Sequence, residues 1–262
     1  MCRTLPCHGL WVVALALSTA ADDPRPKAAE PRSDAVSIQA TQLTIRLGRK
    51  QFQATVVAKT KSTLTIVTAA HCIAAQEVGS TVTLSQGRSA FLGKITASTP
   101  NPDYHPIVSR DPSNKGVRGV LCVDNAVATI EVSLRNEAES KVFQAVKTAD
   151  LSQSPMPAAN ASVTMVVHII DQHGNEHTVK AGNHLNPKCL AWGNASFRPL
   201  PGDSGAGVFF VRETPDGKSG LLLIGNVALS DDRGGIAPLL SRQNPWVEQA
   251  VSANAVEPKA ER

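Results

Sequence analysis

The sequence predicts an all-β protein of antiparallel sheets, finished by one C-terminal α-helix. Three observations carry that prediction. Short runs alternate apolar and polar residues from Leu43 onward, turn-forming Gly, Pro, Asn and Asp separate them, and a convincing helix start stands only near the C-terminus. Such runs close into barrels or a sandwich, because each strand must bury its apolar face against another. The chain is long enough to do so: 262 residues, 42% of them hydrophobic, fit two modest domains or one all-β unit of about 200–250 residues.

Residues 1–20 read as a secretory signal peptide. Arg3 supplies the positive start, Leu10 to Leu17 an apolar core too short to span a bilayer, and Ser18-Thr19-Ala20 a small-residue cleavage site. The expectation is a secreted or periplasmic protein with no stable membrane insertion. Residues 21–36 are rich in Pro and charge and have little to bury, so a flexible linker or short pro-segment is expected. Leu43, Ile45 and Leu47 then alternate with polar residues, a second run spans Phe52 to Ala58, and Leu64 and Ile66 lead to His71. Later strands are expected at Val82–Leu84, Phe91–Ala97, Ala126–Val132, Val163–Ile169, Val208–Val211 and Leu221–Val227. Residues 99–118 are too polar and Pro-rich for a core strand and predict a surface loop, while Thr214 to Gly220 has the chemistry of a hairpin connection. Asn244 as a cap, Pro245 at the first helical position and Val247 one turn before Val251 predict the closing helix.

Charge and cysteines narrow the function. Lys and Arg total 26 against 22 Asp and Glu, a net +4, but the basic residues are scattered and give no case for a nucleic-acid partner. Cys2 and Cys7 would leave with the signal, so Cys72, Cys122 and Cys189 permit one disulfide at most and leave a thiol unpaired. So few cysteines point to a bacterial-type exported protein held together by its core. His173 and His177 have a metal-like spacing, but no cysteine completes a site, and the region reads as two strands around His173-Gly174-Asn175. No metal or cofactor is expected.

Three segments carry chemistry. Thr68-Ala69-Ala70-His71-Cys72 ends a strand, Asp124-Asn125-Ala126-Val127-Ala128-Thr129-Ile130 begins one, and Pro201-Gly202-Asp203-Ser204-Gly205-Ala206-Gly207 is a glycine-rich turn feeding another. A serine hydroxyl is a weak nucleophile at neutral pH and needs a base. Histidine suits that role, and a buried carboxylate fixes its tautomer and stabilises the imidazolium. Glycines around Ser204 allow a tight turn that turns backbone N–H groups toward one point, where they can hold an oxyanion.

In the order His, Asp, Ser, the segments TAAHC, DNAVATI and GDSGAG resemble the signature segments of chymotrypsin/trypsin-like serine peptidases. The resemblance covers roughly residues 37–255. It implies two six-stranded antiparallel β-barrels, one over 37–134 and one over 149–262 with the closing helix, joined by a linker at 135–148. It further implies a secreted serine endopeptidase acting on protein or peptide substrates. His71 would be general base and then acid, Asp124 its orienting carboxylate and Ser204 the nucleophile. The N–H groups of Gly202 and Ser204 would form the oxyanion hole, and Asp203 would support the loop.

The chain also departs from the family. No segment near residues 22–50 resembles the newly cut N-terminus that inserts beside the aspartate before the nucleophile in many animal members. A buried Asp203 would then need a cation or backbone donors of its own. Cys72 lacks its usual partner on the preceding strand, which leaves it a small buried thiol or bonded elsewhere. Counting back from the nucleophile places Arg198 where the family has the base of its substrate pocket. It either pairs with an acidic substrate side chain or lies in solvent. The pocket walls would come from the stretches containing Ala228, Ser230 and Gly235. Another class remains open, a catalytically silent homologue that binds a partner. An α/β-hydrolase is disfavoured by Ala206 where its motif needs glycine and by the order of the three residues.

Overall fold

The alternation of Leu43, Ile45 and Leu47 becomes β1 (Gln42–Leu47), with these three side chains turned inward and Arg46 outward. In the computed structural model the described residues are 38–73, 77–104, 123–152, 164–183, 188–193, 196–213, 219–231, 234–241 and 243–255. The expected signal peptide and linker, most of the 99–118 loop and the tip of the 214–220 connection lie outside them, as do Cys122 and His184.

Five further strands complete a closed barrel with β1: β2 (Lys50–Lys59), β3 (Thr63–Thr68), β4 (Thr81–Gln86), β5 (Ser89–Pro100) and β6 (Ala126–Ser133). Their order is β1-β2-β3-β6-β5-β4, and β4 returns to pair with β1 through Ile45 and Leu84. Phe52, Leu64, Ile66, Leu84, Phe91 and Ile130 fill the interior, each at most 1% exposed.

The second sheet is built from β7 (Asp150–Leu151), β8 (Thr164–Ile170), β9 (Glu176–Gly182), β10 (Cys189–Gly193), β11 (Gly207–Glu213), β12 (Ser219–Asn226), β13 (Leu229–Asp231) and β14 (Gly234–Pro238). Its order is β13-β14-β10-β9-β8-β11-β12-β7. The six longer strands curl until β12 meets the residues just after β14. There Gly225 bridges Leu239, and the Leu240 N–H donates to the Ile224 carbonyl at 2.8 Å. Gly225 is needed at that crossing, since a Cβ there would fall 2.4 Å from the Pro238 carbonyl oxygen. The architecture is thus the expected pair of six-stranded barrels, with β7 and β13 as short additions.

A separate apolar cluster lies between the barrels. Val57, Val67 and Val127 of the first meet Ile170, Phe209 and Leu223 of the second. This is why all six residues of β3 are buried: Leu64 and Ile66 face the barrel interior, while Val67 faces the neighbouring barrel. The closing helix runs over Pro245–Ala255 and lays Val247, Ala250 and Val251 on that cluster. Each of the two buried valines is worth about 1.5–3 kcal/mol.

One helix was not anticipated. Within the charged stretch 135–148 lies α1 (Glu137–Ala145), so the closing helix is α2. Asn136 caps it by accepting from the Glu139 N–H, and Glu139 reaches back to the Arg135 N–H at 2.7 Å. Phe143 anchors the helix against Phe91 in an edge-on contact, and Lys59 donates to the carbonyls of Phe143, Gln144 and Val146 at its C-terminal end.

Candidate active site

Strand register brings the first two candidates together. In the β3–β6 pair Thr68 stands opposite Ala126, so residues just past the end of β3 meet those just before β6. A tight turn follows β3, closed by the Cys72 N–H donating to Ala69 and the Ile73 N–H to Ala70. It leaves His71 at the barrel rim beside Asp124. The Asp124 carboxylate is fully buried, with Oδ2 2.6 Å from His71 Nδ1 and Oδ1 accepting the His71 backbone N–H at 2.9 Å. Two bonds to one residue fix the ring and turn Nε2 away from the carboxylate. From the second barrel, Asn226 Nδ2 donates to the Asp124 carbonyl at 3.3 Å.

Nε2 faces a group that the sequence reading did not assign to it. Cys72 is a free thiol, 5% exposed, and its Sγ lies 3.4 Å from His71 Nε2. Burial of the ring works to lower its pKa, but hydrogen bonds to Asp124 and Cys72 and their charge carry it up to about 10. Nearby, burial pushes the Tyr104 hydroxyl up to about 12, helped by the Asp124 and Cys72 charges.

The Ser204 loop is held from both barrels. Gln53 of β2 donates its N–H to the Ser204 carbonyl at 2.8 Å, and the Gly205 N–H donates to Val227, just past β12, at 2.7 Å. Gly202 and Gly205 have φ of +107° and +86°. Both are also crowded: a Cβ on Gly202 would lie 2.1 Å from Gln172 Oε1, and one on Gly205 2.0 Å from the Gln53 carbonyl oxygen. Asp203 is 1% exposed, and its compensation is backbone: Oδ1 accepts the Gln172 N–H at 2.8 Å and Oδ2 the Leu200 N–H at 2.7 Å. Among the described residues no hydrogen bond uses the N–H of Gly202 or Ser204.

His71, Cys72, Gly202 and Ser204 line one cavity of about 500 Å³, together with Phe52 and Leu200 among others. Ser204 is half-buried there, and its Oγ makes no hydrogen bond to His71. The residues expected around the substrate pocket lie elsewhere. Arg198 is exposed, Ala228 is buried against Cys189 and Ile236, and Ser230 sits in β13 opposite Gly235 of β14. The Trp192 indole lies against Gly235, where a Cβ would come 2.1 Å from the ring. Neither Arg198, Ala228 nor Gly235 lines the cavity at Ser204.

Of the other histidines, His177 Nε2 is 3.0 Å from Asp171 Oδ2 with its ring stacked on Phe197, and His168 Nδ1 is 2.8 Å from Glu176. Cys189 is disulfide-bonded. The sequence reading missed Asn226, Gln53 and Gln172. Only Asn226 left a trace, as the one amide side chain in the apolar Leu221–Val227 run.

In sequence the chain matches no protein-family model and no curated protein. In structure it is similar to "Kallikrein-related peptidase 10", with a TM-score of 0.50 at 13% identity over 82% of this chain and 96% of that one. That likeness, with the closed six-stranded barrel and the curled eight-stranded sheet, establishes the chymotrypsin/trypsin-like fold for this chain.

Proposed function

We propose that the protein is a secreted serine endopeptidase that cleaves peptide bonds with His71, Asp124 and Ser204. The observation that carries this reading is the doubly hydrogen-bonded His71–Asp124 pair, which opens on the same cavity as Ser204. In the reaction the neutral form of His71, its Nε2 turned from the Cys72 sulfur, takes the Ser204 Oγ proton as Oγ attacks the substrate carbonyl. The oxyanion forms beside the unused N–H groups of Gly202 and Ser204, where each donor is worth about 2.7–4 kcal/mol. Collapse passes the Nε2 proton to the leaving amine, and water then hydrolyses the acyl-enzyme by the same base. Asp124 stays ionised and stabilises the imidazolium.

Secretion rests on the signal-like residues 1–20, and the barrels would divide at 37–134 and 149–262. Among the described residues no helix is long and apolar enough to cross a membrane. A second reading, a silent homologue that binds a partner, is favoured by one observation: Nε2 faces Cys72, and Ser204 has no bond to it. A fluorophosphonate separates the two. A peptidase is labelled once, at Ser204, with labelling lost in His71→Ala. No labelling, with no turnover across a diverse peptide library, establishes the silent homologue.

A further inference from the structure

No step of the proposed reaction uses the Cys72 thiol, yet it stands in a chemical setting of its own. Its Sγ lies 3.4 Å from His71 Nε2, and at the other nitrogen of the same ring Asp124 Oδ2 lies 2.6 Å from Nδ1. Carboxylate, imidazole and thiol thus form a chain. It has the order of the carboxylate, imidazole and hydroxyl in the proposed peptidase reaction, with sulfur in place of the Ser204 oxygen. A thiol is intrinsically a far better nucleophile than a hydroxyl, and a base oriented by a third group is what readies it. What marks the position is this relay, not the presence of a cysteine.

The surroundings decide what the sulfur can meet. Cys72 is 5% exposed and belongs to the same apolar cluster as Phe52, Ala69 and Ile73. It also lines the cavity of about 500 Å³ that holds Ser204, whose walls include Pro199, Leu200 and Pro201. A small, partly apolar group suits such walls, whereas a bulky one does not reach a side chain so covered. Among the described residues no second thiol stands ready to pair with it. Cys189 is already disulfide-bonded, and β2, which shares the cavity wall, carries no cysteine.

We propose that Cys72 is a thiol–disulfide exchange site, served by His71, that takes up a small disulfide from solution and thereby switches off Ser204. In the exchange the Cys72 proton passes to Nε2, and Sγ attacks one sulfur of the incoming R–S–S–R. The Cys72–S–S–R bond forms as the original S–S bond breaks. The other half leaves as a thiolate with the bonding electron pair and takes the proton from Nε2 as R–SH. Cys72 is oxidised and the departing half reduced, so the disulfide itself is the oxidant. An added thiol reverses the step. The captured R–S group then fills the cavity in front of Nε2, and the ring can no longer take the Ser204 Oγ proton. Capture at Cys72 stands apart from Ser204; only the switching rests on the peptidase reading.

The probe is 2-hydroxyethyl disulfide on the full chain, with the rate at Cys72 read by peptide mass mapping. The expected result is one hydroxyethylthio group at Cys72, removed by dithiothreitol. It is added faster in the folded protein than in the chain unfolded in urea, where the thiol is exposed but the imidazole no longer faces it. His71→Ala slows the reaction about tenfold or more, and Ser204→Ala leaves it within about twofold. A folded rate below the unfolded one makes Cys72 an inert core thiol and overturns the proposal. So does a folded His71→Ala protein that reacts as fast as the parent. The fluorophosphonate then reads the switch. Labelling of Ser204 is lost when Cys72 carries the group, returns with dithiothreitol, and is indifferent to the disulfide in Cys72→Ala. Labelling that persists on the modified protein refutes the switch. If Ser204 is never labelled in the untreated protein, the peptidase reading fails while the mapping still decides Cys72.

Discussion

Replacing Gly202 by Ala tests the Ser204 loop at its tightest point. The backbone there has φ of +107°, and the new Cβ would fall 2.1 Å from Gln172 Oε1 and 2.9 Å from its Cδ. Holding an L-residue in such a conformation costs about 1–3 kcal/mol. The overlap must also displace the Gln172 side chain, and losing its 3.0 Å bond to the Pro201 carbonyl adds about 0.5–1.5 kcal/mol. The two together predict about 2–4 kcal/mol of lost stability if the loop stays in place. If it shifts instead, the Gly202 N–H moves from the proposed oxyanion position, and the proposed reaction then predicts that kcat falls by about 10²–10³. Urea unfolding and the second-order rate of fluorophosphonate labelling measure the two outcomes. Adding Gln172→Ala removes the overlap but not the backbone strain, so the pair should show a coupling of about 0.5 kcal/mol or more. A Gly202→Ala protein with stability within about 0.5 kcal/mol and labelling within about threefold of the parent refutes the reasoning.

Two other substitutions probe the same centre. Cys72→Ala removes one of the groups that raise His71 toward about 10, so its pKa should fall. In the proposed reaction only the neutral imidazole is the base, so the acid limb of the kcat/KM profile should move to lower pH, and an unmoved limb would show that the sulfur does not govern Nε2. The sign for stability is the opposite: a raised His pKa stabilises below its unfolded value near 6.5, and that contribution is lost as pH rises toward about 10. The variant's deficit in urea unfolding should therefore be larger at pH 6 than at pH 10. Asp203→Asn turns an amide donor toward one of two buried N–H groups, those of Gln172 and Leu200, and should cost about 3 kcal/mol with loss of labelling. Unchanged urea stability would mean that the backbone donors are not what holds the loop.

Much of the fold was legible because β alternation is local. Leu43, Ile45 and Leu47 announce both the strand and its inward face, and Pro245 with Val247 and Val251 announces the closing helix. The residues of the proposed triad stood out because each sits in a short segment of restricted chemistry. What escaped depends on neighbours distant in sequence. The strands Cys189–Gly193 and Gly234–Pro238 carry no alternation, because the glycines of one make room for the Trp192 indole of the other. Helix α1 is nine residues of mostly charged and small side chains, and its signature lies in the Asn136–Glu139 capping pair rather than in an apolar stripe. The setting of His71 Nε2 was hidden for the same reason: a turn of four residues, not any motif, swings the next side chain back over the ring.

The two barrels are closed very differently, and this bears on how the molecule comes apart. The first is sealed by a ladder through Thr44, Ile45 and Arg46, whereas the second is sealed where Gly225 and Ile224 touch Leu239 and Leu240. Partial opening should begin along that short seam, with the Leu240 amide exchanging its hydrogen well before those of β3. Because Asn226 and Val227 adjoin the seam and hold Asp124 and the Ser204 loop, its unzipping would dismantle the proposed catalytic site while the first barrel remains intact.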